Sequence, residues 1–296
     1  MNRKKLIAFS ISLAMTVVPV TPAAAAGAEQ NTEGLQNAVL DLEFENSLED
    51  SSGKGNNGTL SSGEAEYVDG VVGKGLKMNG SSYVNLGNST DLQPENLTLS
   101  FWIRPDSDMK GEELISWNKN EWYTDGWYLS SENDNTPLTL SVGPAKTNGQ
   151  PYRVSVSGKR SEFLPTGEWT HIAVTYDKDS KEICFYRNGV KCSTVTTYGI
   201  SGESTGVLGS DATMEKSIGY NGPKYKGAYL KASLDEYQLY NDVATPEEVI
   251  ALYEESGQTF DRKAVAQDQY SRDDAGEPFS SDNRRKWFCD QLVIRQ

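Results

Sequence analysis

The sequence has little of what nucleophilic and metal chemistry usually needs. It carries one histidine, His171, and three cysteines, Cys184, Cys192 and Cys289. A Ser-His-Asp site would have to use His171, and no cysteine spacing matches a zinc site. Long apolar runs are scarce too. Past the N-terminus none reaches roughly 18 residues, so no membrane span is expected. Positive charge is short, with 28 Lys and Arg against 42 Asp and Glu and a net charge of -14 at pH 7. Nucleic acid needs phosphate-neutralising Lys and Arg, and an anionic membrane surface makes the same demand. Neither is an expected partner. The balance suits a neutral partner or a cation.

What is present begins with a leader. Arg3, Lys4 and Lys5 are basic, residues 6–20 are mostly apolar, and Ala24, Ala25 and Ala26 form a small-residue cleavage site. That is the pattern of a secretory signal peptide over 1–26, too short and wrongly flanked for an anchor. Its removal takes away three basic residues and no acidic one, so the exported chain is more acidic still. A secreted, extracellular protein is expected, with a polar leader over 27–37.

The segment 167–195, GEWTHIAVTYDKDSKEICFYRNGVKCSTV, sets the fold class. Ile172, Val174 and Tyr176 alternate with Trp169, His171 and Ala173, the period of a strand packed on both faces. A second strand is expected at 182–186, then an Asn188-Gly189 hairpin turn, then a third strand at 190–195. With a two-residue loop Cys184 and Cys192 point to opposite faces. With a three-residue loop over 187–189 they fall opposite each other, within reach of a disulfide. Both registers are open in the sequence.

Other strands are expected at 38–45, 66–68, 75–78, 83–86, 97–104, 113–117, 126–130, 138–142, 153–157, 215–220 and 232–240. Strands this dense, with turn residues and no helices between them, mean a sandwich or barrel. One helix is expected late. Thr245 is its N-cap, Pro246 its first residue, Glu248 completes a capping box, and Gly257 is a natural stop. The domain then covers 38–257. Residues 258–296 have mixed charge and no period, and read as a linker or disordered tail. The apolar residues around Trp287 and Val293 leave two readings: a floppy tail, or a chain cut short of a further domain.

The motifs LDLEFENSLEDSSGKGNNGTL, VVGKGLKMNGSSYVNLG, LTLSFWIRP, GEWTHIAVTYD, FYRNGV, IGYNG and SLDEYQLYNDVATPEEVIALYE occur in this order. Together they resemble laminin-G-like, concanavalin A-like jelly-roll domains of bacterial secreted proteins, over roughly 38–255. The resemblance implies an all-β, two-sheet antiparallel jelly-roll sandwich with one short C-terminal helix. It also implies a structural calcium and a carbohydrate-binding or adhesive role, often beside a glycosidase or other hydrolase domain.

Calcium takes six to eight oxygens. Asp235 is the first candidate ligand. By alternation it should share a face with Tyr237 and Leu239, and a buried carboxylate needs a cation or several donors. The resemblance places Glu45, where relatives carry Asp, beside it, with Asp50, Asn56 and Asn57 of the following loop as further oxygens. The competing reading of Asp235 is a carboxylate held by backbone N–H groups. Sugar binding uses flat aromatic faces and planar polar groups. Trp117, Trp122, Tyr123, Trp127 and Tyr128 crowd into WNKNEWYTDGWY with Asn118 and Asn120. Trp122, Tyr123, Trp117, Trp127 and Asn120 are the candidate ligand-binding residues. Trp117 and Trp127 read equally as core at strand ends. Tyr220 and Tyr225 make a thinner cluster.

His171 reads as a hydrogen-bonded structural residue in a strand. Asp41, Glu43 and Glu45 share one strand face and are the only carboxylate run that suggests glycoside hydrolysis, which needs carboxyls about 5–5.5 Å apart in a retaining enzyme. The expected function is thus a non-catalytic, exported glycan-binding module, accessory to a hydrolase. The alternatives are a protein-binding or structural spacer and a glycoside hydrolase in its own right.

Overall fold

The computed structural model describes Leu35 and residues 38–106, 113–119, 126–144, 151–198, 215–220 and 229–263. In chain order the strands are β1 (Ala38–Leu42), β2 (Thr59–Leu60), β3 (Glu66–Asp69), β4 (Lys74–Asn79), β5 (Val84–Asn85), β6 (Leu97–Pro105), β7 (Glu113–Lys119) and β8 (Gly126–Ser131). There follow β9 (Thr139–Pro144), β10 (Pro151–Val156), β11 (Thr170–Tyr176), β12 (Ile183–Arg187), β13 (Val190–Lys191), β14 (Thr194–Tyr198), β15 (Ser217–Ile218) and β16 (Lys231–Tyr240). A one-turn helix α1 (Arg160–Phe163) precedes β11, and helix α2 (Pro246–Glu255) follows β16.

Among the described residues all the strand pairings are antiparallel, and they build two eight-stranded sheets. The first runs β13-β12-β11-β6-β16-β4-β3, with β1 also paired to β16; the second runs β14-β10-β9-β8-β7-β15-β5-β2. The protein is an all-β jelly-roll sandwich with one short C-terminal helix. Alternation explains the packing. Leu99, Phe101, Ile103, Ile172 and Val174 of the first sheet meet Ile115, Trp127, Leu129, Leu140 and Val142 of the second, all fully buried. No helix of the described residues is long and apolar enough to cross a membrane.

The hairpin after β12 takes the two-residue form. Arg187 pairs with Val190 and Tyr186 with Lys191, and Asn188 and Gly189 both have positive φ, as a tight primed turn requires. Cys184 therefore faces a cluster under α2 and Cys192 the main core, with no disulfide between them. The single strand expected over 190–195 is two. β13 stays in the first sheet, and β14 joins β10 in the second. The break at Cys192 and Ser193 is where the chain crosses between layers.

The outer face of the first sheet is covered by α2. Its capping box is complete: Thr245 Oγ1 accepts the Glu248 N–H at 3.3 Å, and Glu248 Oε2 accepts the Thr245 N–H at 2.7 Å. Val249 and Ala244 pack on Ala173, Cys184 and Tyr186. Residues beyond the helix continue over it. Phe260 lies edge-on to Tyr253 and against Gly189, and Arg262 forks onto the Glu254 carboxylate at 2.8 and 3.0 Å.

Candidate ligand-binding site

The outer face of the second sheet is built differently. Register puts Ser217 of β15, Trp117 of β7, Tyr128 of β8, Ser141 of β9 and Arg153 of β10 side by side on adjacent strands. The pleat sends these side chains away from the core that Trp127, Leu140 and Val154 occupy. Trp117 and Tyr128 stack with centroids 5.3 Å apart, and the Arg153 guanidinium lies 5.9 Å from the Tyr128 ring. The next row joins Ser130, Thr139 and Ser155, whose last two hydroxyls bond each other at 2.8 Å.

The two rows form a face of aromatic rings and small hydroxyls, ending in charge. Arg153 pairs with Glu132, and Arg160 reaches Asp134 at 3.2 Å and Ser131 Oγ at 3.3 Å. Trp117 and Tyr128 are only 3% and 1% exposed, so both rings are buried. On the same face the hydroxyls of Ser130 and Ser141 are fully buried and have no hydrogen-bond partner in the protein. Burying a hydroxyl unpaired costs about 1–3 kcal/mol.

The carboxylates gather elsewhere, along β16. This strand pairs with β4 through Lys231–Leu234 and with β1 through Tyr237–Tyr240. Between these two stretches its register with β6 slips, between Asp235 and Gln238, and Glu236 takes φ 47°. The slip corrects the expected alternation. Leu234 and Tyr237 both face the core, so Asp235 points to the opposite face from Tyr237 and Leu239. Its Oδ2 accepts the N–H groups of Val71 and Val72 at 2.7 and 3.0 Å, and its Oδ1 that of Glu236 at 3.0 Å. Burial, with the nearby Glu45 charge adding, raises its pKa from 3.8 to about 6 against those three bonds.

Glu45 meets the same 70–74 turn, where its Oε1 accepts the Lys74 N–H at 3.3 Å. A Cβ at Gly73 would collide with that carboxylate, and one at Gly70 with the carboxylate of Asp235. Glycine is what lets the turn close over both acids. Asp50 and Asn57 belong to another group. Asp50 accepts from the backbones of Asp41, Ser52 and Asn56, and Asn57 Oδ1 accepts from Asp50 N, so both cross-link their own loop. Asn56 likewise donates to Val39 O. Asp235 and Glu45 thus meet at one turn, whereas Asp50 and Asn57 are engaged within the loop that follows β1. Among the described residues no three His, Cys, Asp or Glu side chains gather as metal ligands.

Strand β1 ends at Leu42, and Phe44 and Asn46 take φ 56° and 55°. Alternation stops there, so Glu45 leaves the face expected for it with Asp41 and Glu43. His171 is buried under α2. Its Nε2 lies 2.9 Å from Ser100 Oγ, and burial lowers its pKa from 6.5 to about 3.

With fold and face described, the family can be assigned. The family model described as the concanavalin A-like lectin/glucanases superfamily matches residues 78–250. The chain belongs to that superfamily. No curated protein matches its sequence. Among solved structures this lectin-like chain resembles domain 4 of AbnA, an extracellular GH43 arabinanase of Geobacillus stearothermophilus, in complex with arabinotriose. TM-score is 0.52 and identity 22%, over 75% of this chain and 100% of that one. It also resembles botulinum neurotoxin type C, in a structure whose subject is cell entry through two ganglioside molecules (TM-score 0.55, 16% identity, 75% and 52% covered). The binding domain of Paraclostridial Mosquitocidal Protein 1 is a third (0.52, 22%, 74% and 52%). The chain thus spans about half of the two toxin chains. At these identities the likeness shows the fold alone.

Of the residues singled out for ligand binding in this superfamily member, Trp117 lies in the outer row and Trp127 in the inter-sheet core, out of reach from either outer face. Trp122, Tyr123 and Asn120 lie outside the described residues, as does Tyr225. Sequence reasoning missed Ser130, Ser141, Arg153 and Glu132, which strand register alone brings to Trp117. It also missed Tyr83 and Tyr229, which flank Tyr220 with centroids 5.3 and 4.2 Å away.

Proposed function

We propose that this protein is a non-catalytic, exported carbohydrate-binding or adhesive module whose ligand lies along the outer face of β7–β10. The observation that carries the reading is the pair of buried, unpartnered hydroxyls of Ser130 and Ser141 beside the stacked Trp117 and Tyr128. A sugar supplies what both lack: hydroxyls that donate and accept, and a C–H face for an aromatic ring. The arabinotriose complex of a domain with the same fold supports the reading by analogy. By the same analogy the module would serve as accessory to a glycosidase or other hydrolase domain in a longer chain. A glycan array probed with the full chain and with Tyr128→Ala tests it. The variant should lose binding while its circular dichroism is unchanged; a folded variant that binds as before overturns the aromatic platform.

A structural calcium at Asp235 and Glu45 belongs to the proposal. It would neutralise two carboxylates that share one turn and tie β1, β16 and that turn together. The melting temperature should fall in chelator, and an unchanged value counts against calcium.

The burial of Trp117, Tyr128 and Trp127 favours a second reading, a structural or protein-binding spacer in which these rings only pack. In that case the array stays blank and Tyr128→Ala alters stability alone. Hydrolysis by Asp41, Glu43 and Glu45 is the third reading. Turnover abolished by Glu43→Gln would establish it against ours.

A further inference from the structure

We propose that the outer face of β7–β10 selects an uncharged oligosaccharide of several sugar residues over an anionic one and over a single sugar. The inference rests on the reading of this face as the glycan site, and it names the ligand class.

Length comes from register. Trp117, Tyr128, Ser141 and Arg153 stand on four adjacent strands. Three interstrand steps of about 4.8 Å make a row about 14 Å long. One sugar ring covers only part of such a row. A short chain lying across the strands meets the Trp117–Tyr128 stack at one end and the Ser141 hydroxyl and Arg153 at the other.

Charge comes from pairing. Both guanidinium groups of this face are already neutralised, Arg153 by Glu132 and Arg160 by Asp134, and Arg160 is only 4% exposed. A uronate or sialate carboxylate would have to displace Glu132 from Arg153, or lie next to it, in a protein of net charge -14. Beside groups as buried as these the weak screening makes that repulsion costly. Among the hydroxyls of this face, those of Ser130 and Ser141 have no protein partner. A hydroxyl donates and accepts equally well, which matches a neutral sugar and gives an anion no counter-charge.

The test is calorimetric titration of the full chain with neutral trisaccharides (arabinotriose, cellotriose, mannotriose), with their monosaccharides, and with trigalacturonate, at about 0.05 M and about 0.5 M NaCl. A neutral trisaccharide should bind at least about tenfold tighter than its monosaccharide, with less than about twofold change between the salts. Trigalacturonate should not bind. Ser141→Ala should not lower the unfolding midpoint, because its buried hydroxyl bonds nothing in the protein, yet should weaken the trisaccharide by about fivefold to tenfold. Glu132→Gln should remove the competing carboxylate at Arg153 and give salt-sensitive binding of trigalacturonate. Trigalacturonate binding the unaltered chain more tightly than the neutral sugars overturns the inference and leaves the glycan site standing. Equal binding of mono- and trisaccharide overturns the length argument. No binding of any sugar defeats the glycan reading and this inference with it.

Discussion

Two buried titratable residues pull the stability of this protein in opposite directions with pH. His171 is neutral in the fold, its pKa lowered by burial from 6.5 to about 3. Between those values the unfolded chain binds a proton that the folded chain refuses. Its contribution is complete above pH 6.5 and is lost, at about 1.4 kcal/mol per pH unit, as pH falls toward 3. Asp235 does the reverse. Burial first, and then Glu45, raise its pKa from 3.8 to about 6, so the folded chain takes up a proton that the unfolded chain does not. Its ionised form is a penalty above pH 6 that disappears as pH falls to 3.8. From pH 6 to 4 the two slopes cancel in the intact protein. Urea midpoints across that range should separate them. Relative to the parent, His171→Gln should gain stability as pH falls, and Asp235→Asn should lose it. Saturating calcium, if coordinated by Asp235, holds the carboxylate ionised and should abolish the Asp235 slope while leaving that of His171. A slope indifferent to calcium would remove Asp235 from the proposed site.

At the scale of elements, α2 and β16 show which features a sequence advertises. The helix announces itself through Thr245, Pro246 and Glu248, and each has the capping role expected of it. Thr245→Ala removes the acceptor for the Glu248 N–H and should cost about 1 kcal/mol, read as a lower urea midpoint with an unchanged slope. No loss would mean that packing of Val249 and Ala244 alone fixes the helix start. The Asn188-Gly189 turn is equally legible, since its two positive φ values suit those residues and few others. The slip in β16 is not. Glutamate at φ 47° carries no sequence signature. It lies in the ladder with β6 where the opposite partner of β16 changes from β4 to β1, a long-range arrangement. The site suffers for the same reason. Trp117 was visible as an aromatic near a strand end, but its neighbours Tyr128, Ser141 and Arg153 are set by three strand registers. One of these, between β7 and β8, is itself shifted by a bulge between Leu114 and Ser116. Ser130 and Ser141 look like any strand serine until their burial and lack of partners are known.

The whole molecule is a sandwich with unlike outer faces, and this asymmetry makes a test that no single residue provides. The first sheet is sealed by α2 and by Phe260 beyond it. The second carries buried aromatic and hydroxyl rows in which the Ser130 and Ser141 hydroxyls have no partner. A ligand on β7–β10 stabilises the entire fold by mass action, and slows exchange everywhere that exchange requires global unfolding. Edge strands exchange by local opening instead, so they report where the ligand sits. The edge pair β10 and β14 borders Arg153 and Ser155, whereas β13 and β3 are the edges of the first sheet. Hydrogen–deuterium exchange with a saturating oligosaccharide should slow the amides of β10 and β14 and leave those of β13 and β3 as they were. Protection of β13 and of α2 in place of β10 would move the ligand to the other face. It would then assign the stacked Trp117 and Tyr128 to packing alone.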